Sequence, residues 1–215
     1  MQAAHLRSVV KQLLAGLGLR VERLAGRVSI DEPREAELLR PVARDMASRA
    51  GRRLTLIQVG ANDGRWADPV HDLIDADLVD AVLVEPMPEP FERLAALHRG
   101  NPHVHPVNAA VAPREGVLTL HAIRDGSGAY RFGKVTSSDR RLVAQHLEDM
   151  KARRDVRDTD TAYVADVQRP ARTVSALMAE RGWKTLDVLA LDAEGMDKQI
   201  VEGVLAEDVD VTVIF

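Results

Sequence analysis

The sequence predicts an α/β protein: a Rossmann-like, mostly parallel and doubly wound sheet preceded by a helical extension. Two observations carry this. Short apolar runs, Leu54–Val59, Asp80–Glu85 and Leu186–Leu191, are too continuous for one-sided strands and fit strands buried on both faces. Helical patterns alternate with them over short connections, which implies parallel strands with right-handed crossovers.

Residues 5–25 place Leu6, Val9, Val10, Leu13, Leu14 and Leu17 at helical spacing, and residues 34–50 repeat this with Leu38, Leu39, Val42, Met46 and Ala50. Residues 1–50 therefore form an N-terminal helical extension, and 51–215 the sheet domain. Strand Leu54–Val59 runs into a glycine turn, Gly60-Ala-Asn-Asp-Gly64, and Asp68-Pro69 opens a helix over Pro69–Ala76. Strand Asp80–Glu85 is followed by a helix over Pro88–Arg99, which Gly100-Asn-Pro102 stops. Val104–Val111 reads as a third strand and Val117–Ile123 as an extra strand or hairpin arm.

Residues 124–169 break the rhythm and read as a solvated insertion or lid. Its one helical pattern, Asp139–Arg157, is weak, and Asp139 to Asp160 carries six acidic and six basic residues. A helix over Thr173–Arg181 follows, capped by Thr173 and stopped by Gly182. Leu186–Leu191 is the fourth parallel strand and Met196–Glu202 a helix that Gly203 stops. Val209–Phe215 begins a fifth strand. Its apolar edge leads us to expect that C-terminal strands are missing or that a partner completes the sheet.

The bulk properties narrow the function. The chain has 215 residues, 46% hydrophobic and 29% charged, with a net charge of −4 and no cysteine. These values fit a globular protein, exclude disulfides and cysteine-held metals, and give no support for nucleic-acid binding. No apolar run has the 18 or so residues of a membrane span, and no leader is read at Met1-Gln-Ala-Ala-His5. A cytoplasmic enzyme acting on a small molecule, with no membrane partner and with homo-oligomerisation left open, is the expectation.

Ligands of open parallel sheets bind outside the C-terminal strand ends. Here those ends carry Gly60-Ala-Asn-Asp-Gly64, Glu85-Pro86, Asn108-Ala-Ala110 and Asp192-Ala-Glu194-Gly195. Glu85 lies 21 positions after Gly64, a spacing that suits a carboxylate accepting from ribose hydroxyls. The turn is neither G-x-G-x-x-G nor a phosphate-binding G-x-x-x-x-G-K-[ST]. Asn62 and Asp63 add side-chain acceptors to the turn's N–H donors, a mixture that suits an amino-acid moiety. Asp192 and Glu194 end the fourth strand and are the candidate proton acceptors. The seven histidines make no metal set, though His121 and His146 stand as reserve bases. Trp66 and Trp183 are read as core.

Together Val59-Gly-Ala-Asn-Asp-Gly64, Val84-Glu-Pro86, Asn108-Ala-Ala110 and Leu191-Asp-Ala-Glu-Gly-Met-Asp197 resemble the FkbM family of S-adenosylmethionine (AdoMet) methyltransferases. The resemblance implies methyl transfer to an oxygen of a sugar or natural-product-like acceptor. It implies that Gly60, Ala61, Asn62 and Gly64 line the methionyl part, that Glu85 holds the ribose, and that Pro86 and Met87 flank the adenine. It also implies that Asn108 and Ala109 meet the adenine edge and that Asp192 faces the amino group or sulfonium. Position 58 is Gln where relatives often carry Asp. An NAD-linked oxidoreductase and a non-catalytic interaction module remain as alternatives.

Overall fold

The computed structural model describes residues 33–65, 68, 70–130, 135–153 and 161–215. The chain divides into two compact units, Met1–Arg34 and Glu35–Phe215. The helix expected over residues 5–25 and the side chain of Trp66 lie outside the described residues.

Helix α1 spans Pro33–Ala50 and ends at Gly51, whose φ of +65° suits a residue without a side chain. Strand β1 (Leu54–Val59), helix α2 (His71–Asp75), strand β2 (Val79–Val84), helix α3 (Pro88–Leu97) and strand β3 (Val104–Val107) follow. After the two-residue strand β4 (Ala110–Val111) come β5 (Gly116–Arg124), β6 (Thr136–Ser137), helix α4 (Arg140–Arg153) and β7 (Tyr163–Arg172). Helix α5 (Val174–Glu180), strand β8 (Leu186–Leu191), helix α6 (Asp197–Ala206) and strand β9 (Val211–Ile214) complete the described order.

The main sheet is parallel throughout, in the order β3-β2-β1-β8-β9. Each of its two faces carries its own core. Leu54 and Leu56 of β1 pack with Leu83, Val188, Leu39 of α1, Leu73 of α2 and Leu94 of α3. Ile57 and Val59 point the other way, toward Leu177 and Met178 of α5 and Ile200 and Val204 of α6. Burial on both faces is why these strands read as unbroken apolar runs. Trp183 is partly buried against the second of these cores.

A second sheet has the order β4-β7-β5-β6. Strands β5 and β7 pair antiparallel from Gly116↔Ala171 to Arg124↔Tyr163. Helix α4 covers one end through Val143 and Leu147, which join Ile123, Val135 and Ala162 in a third core.

Several expectations change. The run 104–111 is two strands in different sheets, because the chain turns out of the main sheet at Asn108 and Ala109. Residues 124–169 are no simple insertion, since they supply β6, α4 and most of β7. Helix α6 runs through Gly203 instead of stopping there. The glycine is present for closeness: a Cβ at that position would meet Pro113 Cα at 3.1 Å. Thr173 does cap α5, its Oγ accepting from the Ala176 N–H at 3.1 Å. Asp68 Oδ1 accepts the Val70 N–H at 2.9 Å, just ahead of the described α2. Among the described residues no helix is long and apolar enough to cross a membrane.

Candidate active site

The loops after β1, β2 and β8 converge at one end of the main sheet. Parallel pairing continues past the strands: Gly60 and Ala61 N–H both donate to Val84 O, and Asp192 N–H donates to Val59 O. Gly60 has φ +77°, and a Cβ there would sit 2.1 Å from the Asp192 carbonyl oxygen. Only glycine allows the two loops to lie this close. Gly64 owes its glycine first to its φ of +73°; the nearest atom to a Cβ there is a terminal methyl of Leu94 of α3, at 2.6 Å, and not backbone.

Glu85 ties the first two loops together. Its Oε2 accepts the Asn62 N–H at 2.9 Å and its Oε1 accepts the Met87 N–H at 2.8 Å. The residue is 6% exposed. Burial pushes its carboxyl up to about 7, although these two N–H groups and the charges of Arg93 and Arg169 pull the other way. Asn108 Nδ2 then donates to Glu85 O at 2.9 Å and Pro86 O at 3.1 Å, fastening the third loop to the second.

Between these loops and the second sheet lies a cleft of about 680 Å³, its open mouth included. Val59, Gly60, Asn62, Val84, Glu85 and Pro86 form the side supplied by β1 and β2. Asp192, Ala193, Glu194 and Met196 come from the loop between β8 and α6. Leu118 and Leu120 of β5, Tyr130 and Thr136 form the opposing wall, with Pro90 of α3 and Ala109, Ala110 and Val111 closing it.

The wall has its own bonds. The Tyr130 hydroxyl and Thr136 Oγ1 are 2.8 Å apart, and the Arg124 guanidinium stands 6.0 Å from the Tyr130 ring centroid. Burial, with Glu85 and Glu89 nearby, pushes the Tyr130 hydroxyl up to about 12. Across the cleft, partial desolvation and the charge of Asp197 raise the carboxyl of Asp192, which stays open to solvent, while partial burial, Asp192 and Asp197 raise that of the half-buried Glu194. Asp197 itself starts α6 and accepts the Ala193 N–H at 2.9 Å.

The structure brings Gly60, Asn62, Glu85, Pro86, Ala109, Asp192 and Glu194 together around one cleft. It puts Ala61, Asp63, Gly64, Met87 and Asn108 elsewhere. Ala61 and Met87 are buried, Asp63 Oδ2 faces Arg93 Nε at 3.8 Å, and Gly64 and Asn108 hold loops in place. Gln58 does not line the cleft; its Nε2 donates to Asp68 Oδ1 at 2.9 Å. His103 and His105 pair with Asp80 and Arg181, and His121 with Asp166. Neither His121 nor His146 lines the cleft. Among the described residues no group of three His, Cys, Asp or Glu is placed to hold a metal ion.

Sequence reasoning singled out no residue of the opposing wall, although the lid reading of residues 124–169 spans Tyr130 and Thr136. Alternation in Val117–Ile123 signals a strand, but nothing local says that Leu118 and Leu120 face a cleft, or that Tyr130 and Thr136 fold over it.

No curated protein and no solved structure matches the chain. The family model described as the methyltransferase FkbM domain matches residues 58–215, from the last two residues of β1 through every cleft-lining segment, and the chain belongs to that family of methyltransferases.

Proposed function

We propose that this protein transfers a methyl group from AdoMet to a hydroxyl oxygen of a small acceptor, sugar-like or natural-product-like. The observation that carries the reading is one cleft, at the C-terminal strand ends, that joins a side-chain-free turn at Gly60, the carboxylate of Glu85, and the acids Asp192 and Glu194.

The residues fit the donor. Glu85 lines the cleft with a carboxyl that can still accept from or donate to ribose hydroxyls, since each oxygen uses one lone pair on a backbone N–H. Val84, Pro86 and Pro90 offer apolar surface for a base. Asp192, beside Gly60, suits a positively charged amino or sulfonium group. AdoMet supplies a methyl on a positively charged sulfur, which keeps the bonding pair when the methyl leaves for the acceptor oxygen.

The chain's task is then alignment, water exclusion and removal of one proton. The wall of Leu118, Leu120, Tyr130 and Thr136 covers the cleft and narrows the approach of an acceptor. The acceptor hydroxyl gives its proton to the carboxylate of Glu194 or Asp192. Their raised affinity for protons suits a base that must take one in the transition state.

Isothermal calorimetry with S-adenosylhomocysteine and with NAD tests the reading. Binding of the first and not the second is expected. Binding of NAD alone, or of neither, refutes it.

A further inference from the structure

Four non-glycine residues among those described have positive φ: Asn62 (48°), Asp77 (57°), Glu194 (45°) and Asp208 (53°). Asp77 and Asp208 follow the C-terminal ends of α2 and α6, where a left-handed residue is a common way to finish a helix. Asn62 and Glu194 do not finish helices. Both line the cleft. Left-handed backbone in a residue with a side chain is strained, and it persists where the surroundings over-determine it.

Each of these two residues is held by a specific bond. The Asn62 N–H is fixed by Glu85. The Glu194 carbonyl is fixed by Ser137, whose Oγ–H donates to it at 2.6 Å. Ser137 is 1% exposed and lies in β6, paired with His121 of β5. Its oxygen also accepts the Asp139 N–H at 3.0 Å, one residue before α4. With that N–H on its lone pair, the hydroxyl is oriented to give its hydrogen to Glu194. Gly195, at φ +102°, lets the loop pass beside it, with a Cβ position 3.5 Å from Ser137 Oγ.

We propose that Ser137 is a positioning residue: it clasps the strained backbone of Glu194 and so presents the Glu194 carboxylate to the cleft. This rests on the methyl-transfer reading above and deepens it. The clasp joins the cleft's two walls at one point, linking the second sheet to the loop between β8 and α6. Without the hydroxyl, Glu194 can relax to negative φ, and a residue that relaxes this way swings its side chain out of its former direction. The β6–α4 segment would then be part of the proton-accepting apparatus as well as a cover.

The experiment is a carboxyl titration by NMR in protein carrying ¹³C-labelled glutamate, with Glu194→Gln identifying the signal. Wild-type Glu194 is expected to titrate above the ordinary glutamate value, because the cleft and Asp192 surround it. Ser137→Ala is expected to bring it back toward that ordinary value and to shift the Gly195 and Met196 amides. Ser137→Thr, which keeps a hydroxyl, is expected to retain the wild-type titration. S-adenosylhomocysteine affinity, measured alongside, is expected to change less than about threefold, since the Gly60 and Glu85 contacts are untouched. An unchanged Glu194 titration in Ser137→Ala, or a Thr variant that behaves like Ala, overturns the clasp. Wild-type protein that binds no S-adenosylhomocysteine overturns the methyl-transfer reading and leaves the clasp to be judged on the titration alone.

Discussion

Glu85 makes the stability of this protein depend on pH in a predictable direction. Its carboxyl is raised from the ordinary 4.5 to about 7. Between those values the folded protein keeps a proton that the unfolded chain has released. The stabilisation is therefore complete below about pH 4.5 and is lost as pH rises through about 7. At about 1.4 kcal/mol per pH unit of displacement, the loss is about 3 kcal/mol for this buried side chain. Glu85→Gln removes the titration at nearly the same shape. It also turns an NH₂ toward one of the two backbone donors of Asn62 and Met87, leaving that N–H unpaired at a cost of about 1–3 kcal/mol. The variant should be less stable than wild type at pH 5 and should match or exceed it by pH 8. Urea unfolding at several pH values measures this, and the corresponding shift in relative melting temperature is about 6–12 °C for a chain of this size. Asp68, Asp192 and Glu194 are raised too, but they are present in both proteins and cancel in the comparison. A stability difference that stays constant within about 1 kcal/mol from pH 5 to 8 would refute the burial argument, since 1 kcal/mol is below the expected change.

Gly60→Ala should abolish S-adenosylhomocysteine binding in calorimetry and lower stability by more than the ~1 kcal/mol of an ordinary glycine-to-alanine strain, because its Cβ meets the Asp192 carbonyl; wild-type affinity would show that the two loops can part freely. Asn108→Ala removes the donor to Glu85 O and Pro86 O and should cost about 1–3 kcal/mol in denaturant unfolding, with donor affinity falling as the loops loosen. At the opposite end of the sheet, Asp187 accepts from Arg52 at 2.6 Å and from the Thr55 N–H at 2.8 Å. Burial alone would raise its carboxyl, but these donors outweigh it and hold it below the ordinary carboxylate value. Asp187→Asn should cost about 2–3 kcal/mol at neutral pH, and the gap to wild type should narrow as pH falls through the acid range, where the wild-type carboxylate protonates.

The strands at the middle of the main sheet were legible because burial on both faces writes itself into consecutive residues. Leu54–Val59 and Leu186–Leu191 match β1 and β8 residue for residue. Strand β7 was not legible. Its sequence, Tyr163-Val-Ala-Asp-Val-Gln-Arg-Pro-Ala-Arg172, contains a proline and two arginines, and most of its residues remain partly exposed. Its place is set by pairing with β5, a partner far away in the sequence. The cleft's opposing wall follows from that pairing, so Leu118, Leu120, Tyr130 and Thr136 carry no local signal of their role. Gly203 misled for a related reason: the close neighbour that demands a glycine there, Pro113, is distant in the chain.

The glycine turn shows how a correct motif can carry a different physical meaning. Its glycines and free N–H groups read as a surface for a ligand to approach. In the folded chain both glycines instead answer to the protein's own geometry, Gly60 to the Asp192 carbonyl and Gly64 to a left-handed backbone beside Leu94. The donors are likewise taken. Gly60 and Ala61 N–H serve Val84 O, the Asn62 N–H serves Glu85, and the Gly64 N–H serves Ala61 O. In the proposed methyl-transfer reading, a carboxylate on the donor's amino-acid tail would have to find its hydrogen bonds outside these four groups. In the proposed reading the positive end of that tail would meet a better match, because Asp192 lies beside the turn at Gly60 and Glu194 follows it in the same loop. Glu85 is first the group that finishes the loop, and ribose recognition, in the proposed reading, is what its remaining lone pairs would add. The strand-end acid and the turn were separate signals in the sequence, and in the structure they are one hydrogen-bonded unit.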